Sequence, residues 1–254
     1  MYLNKNKHII SIALFLSSVM SLIAQAVNTV LRLMINHKYA DRPDMLNTYI
    51  YHLQHIVAYV EIFLIAVIFA LALRKLHKLG KMFDEDEERE IAKLQREYNV
   101  GGVSSINVGE MTQLTLIWAV ILIGARIVYE ILSGLYTRFI EQLFLINDIA
   151  ESNVGEAVVS IYNNTHAFKY QGMFIAISIG FFVTGVFLKD KFLQIFSGIM
   201  ATLFVIASYA SNMTSITALG RTVGIVWTSV FFHIFQTIGL MFLAFYLAKR
   251  HRGM

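Results

Sequence analysis

The sequence contains no cysteine and a single proline among its 254 residues, and charged residues make up only 15% of it. The missing cysteines exclude a disulfide-stabilised secreted domain and a thiolate metal site. Soluble domains carry about a quarter charged residues, so the low charge excludes an ordinary soluble enzyme and a disordered tail. The apolar residues, 57% of the chain, occur in long blocks, and the mean hydropathy is +0.60. This pattern is typical of a membrane protein with several spans.

Six apolar stretches are long enough to cross a bilayer as helices. About 20 mostly apolar residues are needed, because hydrocarbon offers no partners for backbone groups. The first stretch is too long for a signal-peptide core and is followed by more spans, so we interpret it as a retained helix. The sequence therefore predicts an all-α single domain, a bundle of six transmembrane helices at 9–34, 49–73, 111–137, 172–188, 192–211 and 222–248.

The distribution of lysine and arginine predicts the orientation of these helices, since cytoplasmic segments retain an excess of basic residues. With the N-terminus inside, the inner segments hold fourteen Lys and Arg residues and the outer segments hold five. We therefore expect a multi-pass plasma membrane protein of a bacterium, with both termini in the cytoplasm. The pI near 9.2 does not indicate nucleic-acid binding, because the positive charges are scattered over several short segments.

Two connecting segments are longer than a turn. The inner segment 77–110 has an acidic run and then an apolar stripe at helical spacing, so residues 84–98 form a solvated surface helix or dock a soluble or membrane partner. The outer segment 138–171 is too apolar for a free loop, and we expect it to cap the outer side of the bundle. Two N-x-[ST] sequons on the predicted outer side begin at Asn163 and Asn212, and their use depends on the host.

Polar and ionisable residues occur within four of the predicted spans, where an ionisable residue near the bilayer centre costs about 2.5–3.5 kcal/mol. Nearly all fall near the midplane or in the outer half of the bilayer, as an outward-facing pocket requires. Alternatively, they bridge helices, and Arg126 and Glu130 are one turn apart and able to pair directly. The candidate ligand-binding residues are Gln25, Asn28 and Arg32 in span one, His52 and His55 in span two, Arg126 and Glu130 in span three, and His233 and Gln236 in span six.

Span four carries a small residue at every fourth position. Small residues on one face allow another helix to approach closely. We interpret this stripe as a packing surface, either within the bundle or between subunits. Its members are Gly172, Ala176, Gly180 and Thr184.

The span histidines permit two further hypotheses. His55 or His52, together with His233, could ligate haem b, but they lie about 9 Å and about 12–16 Å from the outer ends of their spans at 1.5 Å per residue. A hydrolytic metal site needs three ligands, and Glu61 is rotated away from the histidine face. No His-Glu-x-x-His, Gly-x-Ser-x-Gly, P-loop or dinucleotide motif occurs. We therefore expect neither metal nor cofactor, and we favour a protein that is not an enzyme.

The sequence favours a protein that binds or transports a small polar or amphiphilic molecule through an outward-facing intramembrane pocket. In this hypothesis Arg126 and Arg32 attract an anionic group, and Glu130 balances their charge. Hydrogen-bond specificity comes from His233, Gln25 and Gln236. One alternative is a non-catalytic accessory or scaffold subunit whose acidic inner segment docks a partner. Another is a membrane enzyme or haem b protein that uses the span histidines.

Overall fold

In the computed structural model, residues 8–38, 43–80, 108–131, 172–217 and 221–250 are described. This part of the chain is helical and contains no strand, which confirms the predicted all-α class. Within the described residues, one helix lies over each of the six predicted spans. The six helices are α1 (Ile9–Lys38), α2 (Pro43–Gly80), α3 (Val108–Ile131), α4 (Gly172–Phe187), α5 (Lys191–Thr217) and α6 (Arg221–Arg250).

Four of these helices are long and apolar enough to cross a membrane, namely α1, α2, α3 and α6. In α4 and α5 the apolar parts that the structure describes are shorter, at Gly172–Phe187 and Lys191–Ala207. Large apolar side chains are more than half exposed on all six helices, as expected where lipid covers the surface. Examples, one from each helix in chain order, are Ile12, Phe63, Val120, Ile179, Ile195 and Phe245.

The second helix extends beyond its predicted span at both ends. Proline is favourable in the first turn of a helix, where its missing N–H has no partner to lose, and α2 begins at Pro43. At the other end, α2 continues through its basic residues to Gly80. The predicted inner segment 77–110 therefore begins within α2 and ends within α3. Its central part, with residues 84–98, and the outer segment 138–171 lie outside the described residues.

The helices pack mainly against their neighbours in chain order. α1 contacts α2 and α6, α2 contacts α3, and α5 contacts α6. The Ser11 hydroxyl donates to the carbonyl oxygen of Ala244 at 2.9 Å, which places the beginning of α1 beside the end of α6. The Tyr246 hydroxyl donates to Asp190, between α4 and α5, at 2.5 Å. We refer to the end of the bundle that contains these contacts as the basal end.

A tight turn at the basal end joins α4 to α5. Lys189 adopts a left-handed conformation with φ 51°. Oδ1 of Asp190 accepts the backbone N–H of Phe192 at 2.9 Å and of Leu193 at 3.4 Å, as an N-cap residue does. Its other carboxylate oxygen accepts the Tyr246 hydroxyl. One buried carboxylate therefore caps α5 and attaches this turn to α6.

Aromatic side chains fill the contact between α3, α4 and α5. The Trp118 ring meets Phe181 edge-on at 5.9 Å, and Phe174 stacks on Phe204 at 4.1 Å. A Cβ atom at Gly180 would lie 2.7 Å from Cη2 of Trp118, so only glycine allows this approach. The small-residue stripe of α4 thus packs within the bundle at Gly180. We refer to Trp118, Phe174, Phe181 and Phe204 as the aromatic core.

Candidate functional site

A π-helical turn at Val120–Gly124 separates two different parts of α3. Such a turn holds one extra residue, which rotates the following residues by about 100° relative to the preceding ones. Trp118 lies before this turn, and its indole N–H donates to the Thr184 hydroxyl of α4 at 3.0 Å. Arg126 and Glu130 lie after it and contact α2 instead. The π-turn therefore marks the place where α3 changes from aromatic to ionic packing.

Two ion pairs connect α2 and α3. Nη2 of Arg126 donates to Oε2 of Glu61 at 2.5 Å, and Nδ1 of His55 lies 2.7 Å from Oε2 of Glu130. Because the two helices are antiparallel, the pairs form successive rungs, and we refer to these four residues as the charge ladder. The predicted pair between Arg126 and Glu130 is wrong. A carboxylate at matching depth on the facing helix neutralises Arg126 and links two helices, which a partner on the same helix cannot do.

The two rungs differ in their burial. Glu61 is 3% exposed and Arg126 is 9% exposed, so this rung is sealed within the bundle. The His55 side chain is 18% exposed, and its ring stacks near the exposed Tyr59 ring at 6.1 Å. The His55 rung is therefore the one closer to the surface of the bundle.

Two further helices contribute to the same region. On α1, the hydroxyl of Ser21 lies beside the Glu61 carboxylate without forming a well-aligned hydrogen bond. On α6, His233 is buried close enough to Arg126 for that positive charge to act on its ring. Gln236 and Thr237 follow one turn later on α6 and are also buried. The charge ladder together with Ser21 and His233 is the polar cluster, and Gln236 and Thr237 lie next to it along α6.

Several buried oxygens of this region have no hydrogen-bond partner within the part of the chain that the structure describes. They are Oγ of Ser21, Oδ1 of Asn28, Oε1 of Glu61, Oε1 of Gln236 and Oγ1 of Thr237. Elsewhere in the described structure, buried serine and threonine hydroxyls donate to backbone carbonyls, as Ser17 does to Ala13 and Thr115 does to Met111. An unsatisfied buried polar group costs about 1–3 kcal/mol. The polar cluster and the α6 residues next to it therefore hold buried oxygens that no described group satisfies.

The structure brings four of the candidate residues into the polar cluster, and a fifth, Gln236, is buried one turn from His233. Gln25 and Asn28 are half-buried on α1, and His52 is exposed on α2. Arg32 lies within α1, but its side chain is outside the described part. The four residues in the cluster are His55, Arg126, Glu130 and His233.

Sequence reasoning left Glu61 and Ser21 out of the candidate site. Glu61 does not share a helical face with the span histidines, so helical spacing does not predict it as part of the site. The signal that could have found it is depth, because Glu61 and Arg126 are at matching levels on antiparallel spans. Ser21 precedes Gln25 by one helical turn on the same face of span one, so this spacing could have found it, and it lies beside Glu61.

The haem hypothesis stays a hypothesis, with Nδ1 of His55 in contact with Glu130. In the described ranges, no group of three or more His, Cys, Asp or Glu residues is arranged to hold a metal ion. Comparison with known proteins gave no match: no family model, no curated protein and no solved structure matches the chain.

Proposed function

We propose that this chain is a bacterial plasma membrane protein with six transmembrane helices, which binds or transports a small polar or amphiphilic molecule at the polar cluster. The beginning of α1 and the end of α6 share the basal end. The predicted inner segments, with both termini included, carry fourteen of the 21 lysine and arginine residues. The positive-inside tendency then makes the basal end the cytoplasmic face, with both termini inside.

The observation that carries the functional proposal is the group of buried oxygens without partners. Buried polar groups in lipid are expensive, and apolar replacements of similar volume are often neutral or stabilising. A cluster that only held helices together would be expected to satisfy its own hydrogen bonds. Oxygens without partners on three helices of the described structure support the proposal that a ligand binds there.

The depth of the cluster fits this role. Ser21 follows Ile9 by about 18 Å at 1.5 Å per residue. The hydrocarbon core is about 30 Å thick, so the cluster lies slightly beyond its middle when counted from the basal end. Solute sites of many transporters lie near this level.

The pairing with Glu61 changes the role expected for Arg126. Its charge is already balanced, so it holds the Glu61 carboxylate in place instead of attracting an anion. Arg32 keeps the predicted role toward an anionic group.

Thiol labelling tests whether the cluster opens to the outside. The native chain has no cysteine, so a single introduced thiol has no background. We expect Gln25→Cys to react with a membrane-impermeant maleimide added to intact cells, because water in the pocket permits thiolate formation. Ile23→Cys is the control at similar depth, since Ile23 is exposed on the apolar surface and a thiol in lipid does not ionise. If both variants fold and neither reacts with the maleimide, the proposed pocket is refuted.

Reporter tags test the orientation. Tags fused at Met1 and at Met254 should both report from the cytoplasm, and a tag inserted near Asn153 should report from outside. An external C-terminal tag would mean that the six spans were counted incorrectly.

The charge ladder itself favours a second candidate function, that of a non-catalytic accessory or scaffold subunit. Two ion pairs between α2 and α3 suit a rigid structural role without any ligand. In that case the protein should co-purify in mild detergent with a stoichiometric partner, and deletion of residues 84–98 should release that partner. If the complex survives deletion of this segment, residues 84–98 are not the docking site.

A further inference from the structure

Three exposed lysines lie close together at the basal end, on two elements that a buried carboxylate connects. Lys189 and Lys191 flank Asp190 in the turn between α4 and α5, and Asp190 accepts the Tyr246 hydroxyl of α6 at 2.5 Å. Lys249 follows Tyr246 by three residues, so it lies on the same side of α6, about one turn nearer to the end of the helix. We refer to Lys189, Lys191 and Lys249 as the basic corner.

The basic corner carries positive charge that the described side chains do not balance. Asp190 is 9% exposed, and its two carboxylate oxygens accept bonds from the backbone of α5 and from Tyr246. One carboxylate is thus present beside three ammonium groups, and none of the three lysines forms an ion pair with a described residue. The sequence adds Arg250 directly after Lys249. The basic corner therefore attracts a partner with negative charge.

At Lys189 the fold alone would favour glycine. The φ of 51° is in the left-handed region, which residues with a Cβ atom adopt at an energetic cost and glycine adopts freely. The turn is fixed in place, since the carbonyl oxygen of Gly185 accepts the backbone N–H of Asp190 at 2.7 Å and the side-chain amide of Gln194 at 3.2 Å. Backbone strain of this kind is concentrated at functional positions. Because the Lys189 side chain is exposed, we expect its role in an interaction with a partner outside the fold.

Apolar surface adjoins the basic corner along the helices. The Phe192 ring stacks on Tyr246 with 6.0 Å between the ring centroids, and Phe192 is nevertheless 53% exposed. Ile195 follows about one turn later on α5 and is 65% exposed. On α6, Phe245 precedes Lys249 by about one turn and is 62% exposed. A partner that covers both kinds of surface needs a negative group attached to apolar chains.

We infer that the basic corner binds an anionic phospholipid, with the phosphate of its headgroup beside the three lysines and its acyl chains along Phe192 and Phe245. Clusters of basic residues at the cytoplasmic ends of membrane helices recognise such headgroups. A lipid bound here contacts both the α4–α5 turn and α6, so its binding stabilises the contact between them. The inference goes beyond the proposed function, since it involves no residue of the polar cluster and holds equally for an accessory subunit.

Thermal unfolding of the purified full chain tests the inference. Melting curves are recorded in a neutral detergent with phosphatidylcholine, which is replaced stepwise by phosphatidylglycerol at constant total lipid. Phosphatidylglycerol at a hundred times its Kd should raise Tm by about 5–10 °C. Inorganic phosphate added to phosphatidylcholine alone should leave Tm unchanged. An equal rise with inorganic phosphate would show that a free anion binds instead of a lipid, and the absence of any rise with phosphatidylglycerol would also overturn the inference.

Matched lysine variants show whether the effect belongs to the basic corner. Lys189→Gly removes one ammonium group and relieves the left-handed backbone, so in phosphatidylcholine alone its Tm should equal or exceed the native value. We expect it to raise the half-saturating fraction of phosphatidylglycerol about fivefold, which corresponds to about 1 kcal/mol for one basic residue at an anionic surface. The control is Lys78→Gln, since Lys78 is exposed in the last turn of α2. This helix follows α1 after four residues and packs against it, so it runs back to the basal end.

The control variant should leave the half-saturating fraction unchanged, and equal shifts in Lys78→Gln and Lys189→Gly would overturn the inference, because they would indicate unspecific attraction. Lys249→Gln is a second variant on α6 and should act as Lys189→Gly does. No shift in either of these two would overturn the inference as well. A Tm of Lys189→Gly below the native value in phosphatidylcholine alone would mean that an acidic segment of the chain, such as residues 84–90, occupies the corner in place of a lipid.

Discussion

The two parts of α3 on either side of its π-turn pack by different physical means. Before the turn, Trp118 is fully buried against aromatic rings, and its single polar atom is bonded to Thr184. After the turn, Arg126 and Glu130 form ion pairs with α2 in a region where other buried oxygens have no partner among the described residues. The aromatic core is thus satisfied within itself, and the polar cluster is not. This contrast is the basis of our proposal that the aromatic core serves stability and the polar cluster serves binding.

The largest expected effect is on the ionic side of this comparison. Arg126→Leu leaves the Glu61 carboxylate buried without its partner, so we expect a loss of about 3–5 kcal/mol in the free energy of unfolding. The measurement is thermal unfolding in detergent with a check of monodispersity. An unchanged Tm would mean that the buried Glu61 carboxylate does not need Arg126 as its partner.

Double variants identify the partner of Arg126. The change Glu61→Leu should restore most of the stability lost in Arg126→Leu, because it removes the unpaired charge. Glu130→Leu in the same background should not restore it, because Glu61 stays unpaired. If Glu130→Leu restores the stability of Arg126→Leu and Glu61→Leu does not, the result would instead support a pair between Arg126 and Glu130 within α3.

A large effect is also expected in the aromatic core. Gly180→Ala forces a Cβ atom to within 2.7 Å of the Trp118 ring, so we expect a loss of about 1–3 kcal/mol from overpacking. Gly172→Ala is the matched control on the same helix, with no atom within 4 Å of the added Cβ. Thermal unfolding should separate the two variants, and an equal response would contradict close packing at Gly180.

A smaller effect is expected at the His55 rung of the charge ladder. His55→Leu removes the contact with Glu130, but the His55 side chain is partly exposed, so solvent compensates in part. We expect a loss of about 1–2 kcal/mol in the free energy of unfolding. A loss as large as that of Arg126→Leu would show that the two rungs are equally shielded from solvent.

The smallest effect is expected from the single polar contact of the aromatic core. Trp118→Phe keeps an aromatic ring but removes the indole N–H that donates to Thr184. Hydrogen bonds between membrane helices are worth about 0.6 kcal/mol on average, so the change in unfolding free energy should be near this value. A much larger loss would show that the wider indole ring, and not its N–H, stabilises the core.

Hydropathy located the helices well, because a bilayer requires long apolar runs whatever their neighbours are. The polar residues were found for the same reason, since each is conspicuous within such a run. Depth along a helix follows from counting residues, but rotation about its axis does not. The π-turn in α3 adds a residue to one turn, and no composition signal marks Val120–Gly124. The partners of Arg126 and Glu130 therefore could not be assigned from spacing alone.

The most direct test of the central claim is the Tm of Glu61→Leu/Arg126→Leu compared with that of the native chain. If the sealed rung serves a ligand site and not the fold, apolar replacement should leave Tm equal to or above the native value. A Tm lowered by an amount equivalent to about 3 kcal/mol or more would contradict the account, because the double variant leaves no unpaired charge and so large a loss would mean that the rung itself stabilises the fold. It would favour the structural role of an accessory or scaffold subunit.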